Sequence, residues 1–225
     1  MKKILNFNSL IESKQISGWG RKSFVESKFL KLESEQGIKD FIKGSYTTSL
    51  ITRGLGRSYG DAAQLKEDFI LNVNFSQSIS ISGNQLTVGG GVSIEKVLEV
   101  IVPLGYFLPV SPGSAKVTIG GAIAADVHGK NHHKDGSLGN HISRILLIDG
   151  RGEIQELKPI QNNSAETNNF FWATIGGMGL TGIIIEATIS LIKIDTSFIK
   201  ADTFICNDLD ALLELMKSKD KEYSY

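Results

Sequence analysis

The sequence predicts an α+β fold in which two small subdomains hold one long ligand between them. Short β-branched stretches alternate with helical patterns along the 225 residues, and one stretch alternates with period two on both sides of a turn signature. Glycine accounts for 24 residues against 4 prolines, and it is gathered in clusters beside predicted strands. Such clusters bring bare backbone close to a ligand or to a second segment of chain, because glycine carries no Cβ.

The first third of the chain predicts strands that lead to a glycine loop. Strands are predicted at 28–34 (KFLKLES), 47–54 (TTSLITRG) and 69–74 (FILNVN), with a helix at 35–43. The second strand runs directly into the first glycine cluster, RGLGRSYGDAA at 53–63. A ligand that contacts this cluster would therefore lie at the end of a strand.

A hairpin and a capped helix follow. SISISGNQLTVGGG, at 78–91, alternates about the pair Gly83-Asn84, and a two-residue turn of this kind predicts a β-hairpin. Ser93 stands at the expected N-cap, because apolar residues recur at helical spacing between it and Pro103. The next segments predict a short strand at 106–110 (YFLPV) and a small-residue helix or tight turn at 118–127.

A second hairpin and a long strand complete the main block. ISRILLIDGRGEIQEL, at 142–157, predicts a hairpin that turns at 149–152. A helix is expected at 164–175. The β-branched run GIIIEATISLIKI, at 182–194, predicts a buried strand.

The pattern changes near the C-terminus. A strand is predicted at 196–208, an amphipathic helix at 209–219, and the beginning of a further strand at 222–225. We therefore expect one domain at 1–195 and the beginning of a second at 196–225, so that the chain is a fragment of a longer protein.

Composition excludes several classes of function. Lys and Arg together number 24, as do Asp and Glu, so no net charge favours nucleic acid or an anionic membrane. No apolar run is long enough for a membrane span, and polar residues interrupt the N-terminus, so no signal peptide is expected. The single cysteine, Cys206, permits no internal disulfide and favours a cytoplasmic location.

Three glycine clusters have the character of ligand-binding loops. They are RGLGRSYGDAA (53–63), SPGSAKVTIGGAIAADVHGK (111–130) and FFWATIGGMGLTGIII (170–185). Successive bare amides can turn towards a phosphate, and Ser58 adds a hydroxyl donor to the first cluster. The spacing of the first cluster matches neither a P-loop nor a dinucleotide fingerprint, so an ordinary turn and tight helix packing remain alternatives.

Together with the histidine-rich segment, the clusters resemble a known family. GRSYGDAA (56–63), HGKNHH (128–133) and GSLGNH (136–141) are similar to the FAD domain of the vanillyl-alcohol-oxidase-type (PCMH) flavoproteins. The similarity extends from SGWGR (17–21) over essentially the whole chain, and it is greatest to flavin oxidases of polyprenyl-phosphate-linked ribose. It implies a small, mostly parallel sheet and a larger antiparallel or mixed sheet with helices, followed by the start of a substrate domain.

The resemblance also implies which residues bind FAD. The first cluster would wrap the pyrophosphate, the second would contact the ribityl chain and pyrophosphate and run beneath the isoalloxazine, and the third would meet the adenine end. These residues are Thr52, Arg53, Gly54, Leu55, Gly56, Arg57, Ser58, Tyr59, Gly60, Asp61, Gly113, Thr118, Ile119, Gly120, Gly121, Ala125, Asp126, Val127, His128, Gly182 and Ile183.

All four histidines fall within 128–141, which raises a metal site as an alternative. His128 and His132 are four residues apart, but glycines make the segment a loop and no cysteine is near, so no metal is expected. The resemblance implies that HGK lines the pocket beside the flavin ring. It assigns His128 to positioning and polarity, and Lys130 to neutralising an anionic substrate. Tyr59 would stack on or hydrogen-bond the ring system, with a purely packing role as the alternative.

Arg57 bears on how the cofactor is held. Many members of the family carry a histidine in the corresponding loop that bonds covalently to the flavin, whereas GLGRS places Arg57 there. No cysteine is available for a second linkage either. The resemblance therefore implies noncovalent FAD.

The resemblance implies an FAD-dependent oxidoreductase acting on CH–OH groups. Its substrate would be the 2′-hydroxyl of a polyprenyl-phospho-ribose, in the first half of an arabinose-forming epimerisation that serves cell-wall arabinan. A nicotinamide-dependent short-chain reductase would be the partner, and the lipid-linked substrate would bring the protein to the membrane periphery. Two alternatives remain: oxidation of another alcohol, such as a sugar lactone or alditol, and a flavin-binding module without catalysis. The second remains because the family's substrate-domain lysine lies beyond residue 225.

Overall fold

In the computed structural model the chain forms two main sheets with helices packed against them. The structure describes residues 7–44, 49–72, 76–159, 165–219 and 222–223. Parts of the predicted elements lie outside the described residues, namely 47–48, 73–74, Ser164 and 224–225.

The first subdomain is a small sheet with one helix. Its elements are β1 (Ile11–Ser17), β2 (Phe24–Leu30), α1 (Glu35–Lys43), β3 (Leu50–Arg53) and β4 (Phe69–Asn72). The strand order is β1-β2-β4-β3, in which β4 pairs in parallel with β2 and β3, whereas β1 pairs antiparallel with β2. The predicted small, mostly parallel sheet is confirmed.

The second subdomain is larger and antiparallel. In chain order its elements and those that follow are β5 (Ile79–Ser82), β6 (Gln85–Gly89), α2 (Ile94–Ile101), β7 (Tyr106–Phe107), α3 (Ile119–Ala124), α4 (His132–Asp135), β8 (Ile142–Ile148), β9 (Ile154–Leu157), α5 (Ala165–Thr174), β10 (Ile183–Ser190), β11 (Ile192–Lys193) and α6 (Leu209–Lys219). Five strands pair antiparallel in the order β5-β6-β10-β8-β9, and β7 pairs separately with β11. The predicted α+β class with a larger antiparallel sheet is confirmed.

Both predicted hairpins and the predicted helix cap are present. The first hairpin turns at Gly83, where φ is +61°, a conformation that favours glycine. The second turns at Asp149, whose carboxylate accepts main-chain N–H bonds at 2.9 Å from Arg151 and Glu153. Ser93 caps α2, because its Oγ accepts a main-chain N–H bond at 3.1 Å from the first turn.

The second sheet is covered on both faces. Ile38 and Phe41 of α1 are fully buried, and they share one apolar cluster with Ile148 and Ile183 of the second sheet. On the opposite face α2 and α3 contribute to a larger cluster, which includes Phe171 of α5. The first half of β10, residues 183–185, is therefore buried on both faces, whereas polar residues that are only partly buried alternate along its second half. The loops at the start of β10 rest on this packed core.

Four local predictions are wrong in whole or in part. The segment 196–208 forms no strand, and Phe198 and Ile205 are 84% and 94% exposed, since no strand among the described residues pairs with it. The predicted strand at 106–110 is limited to β7, and the segment at 132–135, expected as loop, is the single helical turn α4. The predicted strand at 28–34 is shifted, because β2 starts and ends earlier.

Helix α6 has the predicted bounds, but none of its described side chains is buried. Within the part of the chain that the structure describes, no helix combines the length and apolar character required to cross a membrane.

Candidate cofactor-binding site

The three glycine clusters meet at one cavity of about 580 Å³, together with the glycine run that follows β6. A volume of this size falls in the ordinary range for ligand pockets. The described residues that line it are Trp19, Thr52, Gly54, Leu55, Gly56, Arg57, Ser58, Tyr59, Gly60, Ala62, Ala63, Asn72, Gly90, Gly91, Pro112, Gly113, Ser114, Val117, Thr118, Gly120, Gly121, Ala124, Ala125, Val127, Met178, Gly179, Gly182 and Ile184.

The first glycine loop leaves the end of β3 and is held by the turn between β1 and β2. The main-chain N–H of Trp19 donates to the carbonyl of Ser58 at 2.7 Å. A Cβ at Gly18 would lie 2.0 Å from the carbonyl oxygen of Gly60, so a larger residue could not approach in this way. The turn therefore defines the course of the loop around the cavity.

Arg57 supplies the charge of the cavity wall. Its guanidinium carbon lies 4.2 Å from the centre of the Trp19 ring, which is a cation–π contact, and its Nη1 donates to the carbonyl of Leu55 at 2.9 Å. Among the described lining residues Arg57 has the only charged side chain. A negatively charged ligand would therefore meet a cation and no carboxylate.

The second cluster touches the first at Thr118. The Oγ1 of Thr118 caps α3 by accepting the N–H of Gly121 at 3.2 Å. A Cβ at Gly54 would lie 2.3 Å from this same oxygen. By contrast, a Cβ at Gly113 would meet no atom within 4 Å, so the backbone there borders open space in the cavity.

Gly90 joins the second sheet to α3. Its N–H donates to the carbonyl of Ile185 at 2.9 Å, and its carbonyl accepts the N–H of Gly120 at 2.8 Å. A Cβ at Gly90 would lie 2.1 Å from the carbonyl oxygen of Ile184. The wall of the cavity depends on backbone packed against backbone at this point.

The third cluster contributes a buried hydroxyl without a partner. Thr181 Oγ1 is buried, and no hydrogen-bond partner for it exists among the described residues. Thr181 stands between Gly179 and Gly182, which both line the cavity. Thr181 itself does not line the cavity, and its buried hydroxyl lies behind the wall. The bare backbone and the single cation that line the cavity fit a dinucleotide cofactor.

Most of the residues predicted to bind FAD line the cavity. These are Thr52, Gly54, Leu55, Gly56, Arg57, Ser58, Tyr59, Gly60, Gly113, Thr118, Gly120, Gly121, Ala125, Val127 and Gly182. The other predicted site residues are not among the lining residues, namely Arg53, Asp61, Ile119, Asp126, His128, Lys130 and Ile183.

The core accounts for two of these exceptions. Ile119 and Ile183 are 0% and 4% exposed, and each packs in an apolar cluster. Ile184 lines the cavity instead of Ile183, because successive residues of a strand face opposite sides. Asp61 is exposed at the end of the first loop.

Asp126 and His128 fasten the second cluster to the segment after α4. Asp126, with φ at +42°, accepts the N–H of Gly139 through Oδ1 at 2.9 Å. His128 is exposed and forms an isolated antiparallel bridge with Ser137. Both residues therefore hold the backbone next to Val127, which lines the cavity.

The histidine-rich segment is anchored by a buried amide. Asn131 is 4% exposed, and its Nδ2 donates to the carbonyl of Pro109 at 2.9 Å and to Asp135 Oδ2 at 2.6 Å. The rings of His128 and His132 meet edge to face at 5.5 Å, and Lys130 is exposed between them in sequence. Among the described residues no three His, Cys, Asp or Glu side chains are grouped to hold a metal.

Sequence reasoning missed several lining residues. Trp19, Gly90, Gly91, Met178 and Gly179 all border the cavity. Gly90 and Gly91 belong to the run VGGGVS, and Met178 and Gly179 to the third cluster, so glycine density is a signal that could have found them. Trp19 lies in SGWGR, outside the glycine clusters. It borders the cavity because the β1–β2 turn packs against the first loop, which the sequence alone does not reveal.

Comparison with known proteins identifies the family. The model of the FAD binding domain matches residues 28–158, which contain the first two glycine clusters. The chain belongs to the FAD-binding domain family. The predicted PCMH-type fold and the predicted cofactor, FAD, are thereby confirmed.

Named oxidoreductases are among the relatives of this FAD-binding domain. The chain is 36% identical over 220 residues to decaprenylphosphoryl-beta-D-ribose oxidase of Mycolicibacterium smegmatis, covering 95% of this chain and 47% of the relative. It is 24% identical to D-arabinono-1,4-lactone oxidase of Kluyveromyces lactis, covering 64% and 27%, and 29% identical to D-2-hydroxyglutarate dehydrogenase of Xanthomonas citri, covering 47% and 23%. The chain thus spans less than half the length of these relatives.

Proposed function

We propose that this chain is the FAD-binding part of an oxidoreductase that oxidises the 2′-hydroxyl of a polyprenyl-phospho-ribose. The observation that carries the proposal is the convergence of glycine loops on one cavity whose described lining contains a single cation and no carboxylate. The 36% identity to decaprenylphosphoryl-beta-D-ribose oxidase, over 95% of this chain, supports the substrate class.

The residues of the cavity suit successive parts of the cofactor. We assign the first loop to the diphosphate, because bare amides and Arg57 favour an anion there. Gly113 and the start of α3 are assigned to the ribityl chain, and Ala125 and Val127 to the ring. Gly182 is assigned to the adenine end.

Bound FAD would supply a two-electron acceptor for oxidation of the carbinol to a ketone, and a base would take the hydroxyl proton. The chain contributes orientation and polarity around the reacting carbon. His128 and Lys130 are exposed and follow Val127, which lines the cavity, in sequence. We assign His128 to holding the hydroxyl and Lys130 to neutralising the phosphate of the substrate. Tyr59, which lines the cavity and is 78% exposed, is assigned to the ring system.

We propose that FAD is held without a covalent bond. No histidine or cysteine is found among the described residues that line the cavity, and Arg57 is stacked on Trp19. Acid precipitation of the purified yellow protein is therefore expected to leave the flavin absorbance in the supernatant. Flavin that stays with the precipitated protein would contradict the proposal.

We propose that residues 196–225 begin a substrate domain after an FAD domain at 1–195. Exposed apolar side chains support this boundary. Phe198, Ile199 and Ile205 are more than 80% exposed, so this segment is not packed into the core of the FAD domain.

We also propose that a nicotinamide-dependent reductase consumes the ketone product. The single cysteine supports a cytoplasmic location, and the lipid-linked substrate supports contact with a membrane surface.

A substrate-dependent loss of flavin absorbance tests the reaction. The flavin-loaded protein is mixed without oxygen with a synthetic short-chain polyprenyl-phospho-β-D-ribose. The expected result is bleaching roughly tenfold or more faster than with the 2′-deoxy analogue, which lacks the hydroxyl that is oxidised. The same measurement on a chain extended to the length of the relatives shows whether residues beyond 225 are required.

Two alternatives give different outcomes. Faster bleaching by an arabinono-lactone or an alditol would favour oxidation of another sugar alcohol, which the similarity to the lactone oxidase motivates. Bleaching by none of these alcohols, in either the 225-residue chain or the extended one, would overturn the proposed reaction and leave a flavin-binding module.

A further inference from the structure

Arg53 ties three segments together behind the first glycine loop. It is the last residue of β3, and its Nη1 donates to the carbonyl of Ala63 at 2.9 Å. Its Nη2 donates to the carbonyl of Ser17 at 2.8 Å. The guanidinium therefore joins both ends of the loop to the end of β1, although Arg53 does not itself line the cavity.

The charge of Arg53 has no counterion in the part of the chain that the structure describes. The side chain is partly buried, and burial lowers the pKa of the guanidinium. Arg144 provides a contrast, because Glu156 and Glu186 each lie 2.6 Å from it and raise its pKa. A partly buried cation without a carboxylate is costly, and an arginine in this setting is best stabilised by an anion.

The guanidinium lies directly behind the wall of the cavity. A Cβ at Gly56 would be 2.5 Å from Arg53 Nη2, so a single glycine separates the charge from the open space. Because the side chain is partly buried, water screens its charge less than that of an exposed arginine, and the charge can act on an anion beyond the backbone. Arg57 faces the same space from the front of the loop.

We propose that Arg53 is an electrostatic positioning residue for the diphosphate of FAD, which it holds in place through the loop rather than by contact. This inference rests on the proposed placement of the diphosphate at the first glycine loop. Arg53 thus has two linked tasks: its two hydrogen bonds shape the loop, and its uncompensated charge favours the dianion.

The test separates charge from shape by comparing Arg53→Met with Arg53→Lys. Lysine keeps the positive charge but lacks the planar fork that reaches both carbonyls, whereas methionine loses both functions. Arg151→Met removes the same formal charge from the exposed turn of the second hairpin and is the matched control. FAD affinity of the apoprotein is measured by titration at low and high salt, and thermal unfolding of each apoprotein checks the fold.

We expect Arg53→Met to bind FAD about tenfold or more weakly and Arg53→Lys to fall between Arg53→Met and the parent protein, because lysine keeps the charge but not both hydrogen bonds. Arg151→Met should stay within about threefold of the parent. High salt should weaken FAD binding to the parent more than to Arg53→Met. Equal losses in the lysine and methionine variants would overturn the inference and leave a structural role alone, as would unchanged affinity in Arg53→Met. A parent protein that takes up no FAD would instead contradict the proposed function, and this inference with it.

Discussion

Replacing Gly113 with valine is expected to weaken FAD binding about tenfold or more while leaving the fold intact. A Cβ at Gly113 would meet no protein atom within 4 Å, so the new side chain would stand in the cavity and displace the cofactor. The φ angle of Gly113 lies outside the range that only glycine adopts readily, so valine introduces no strain of that kind. The measurement is a titration of the apoprotein with FAD, together with its denaturant midpoint.

Gly150→Val is the matched control for this change. A Cβ at Gly150 also meets no atom within 4 Å, but Gly150 belongs to the turn of the second hairpin and does not line the cavity. The control is expected to bind FAD like the parent protein. If Gly113→Val bound FAD equally well, the second glycine cluster would not border the cofactor, and the proposed placement would be wrong.

Gly90→Ala, by contrast, is expected to act on stability: it should lower the free energy of unfolding. Its Cβ would lie 2.1 Å from the carbonyl oxygen of Ile184, which belongs to the backbone of β10 and cannot turn aside. The chain must shift, and the hydrogen bonds that Gly90 makes to Ile185 and Gly120 would be strained. Overpacking of this kind costs about 1–3 kcal/mol of unfolding free energy. The loss is measured by chemical denaturation of the apoprotein, and weaker FAD binding is expected with it.

Gly150→Ala serves as the control for stability, and a change within about 0.5 kcal/mol is expected at this exposed turn. A denaturant midpoint for Gly90→Ala equal to that of the parent would show that the contact with Ile184 is not close in solution. The pair of glycine variants therefore distinguishes two roles. Gly113→Val should lower affinity at constant stability, whereas Gly90→Ala should lower both.

Much of the local structure is predictable because neighbouring residues decide it. The two-residue turn at Gly83-Asn84 and the N-cap at Ser93 follow from conformational preference and from hydrogen bonds made within a few residues. The glycine clusters likewise predict a site of bare backbone, since the absence of side chains is visible in the sequence itself. Most residues predicted from these clusters do line the cavity.

The predictions that are wrong share a different cause, because each depends on contacts with distant parts of the chain. The segment 196–208 has the composition of a strand, but it forms none, because a strand requires a partner at its edge. Arg53 and Ile183 lie in the right motifs, yet Arg53 turns behind the loop and Ile183 faces the core. Trp19 is far from the glycine clusters in sequence and borders the cavity only because the β1–β2 turn packs against the first loop.

By itself, the sequence determined the α+β class, the hairpins, the helix cap and the family signature that implies FAD, because each depends on local preference or on a motif of adjacent residues. Tertiary structure alone decided which side chains face the cavity, which cation stands behind it and where the unpartnered hydroxyl lies. These features arise from contacts between segments that are distant in sequence. The packing of one segment against another determines which side chains face the cavity and which face the core.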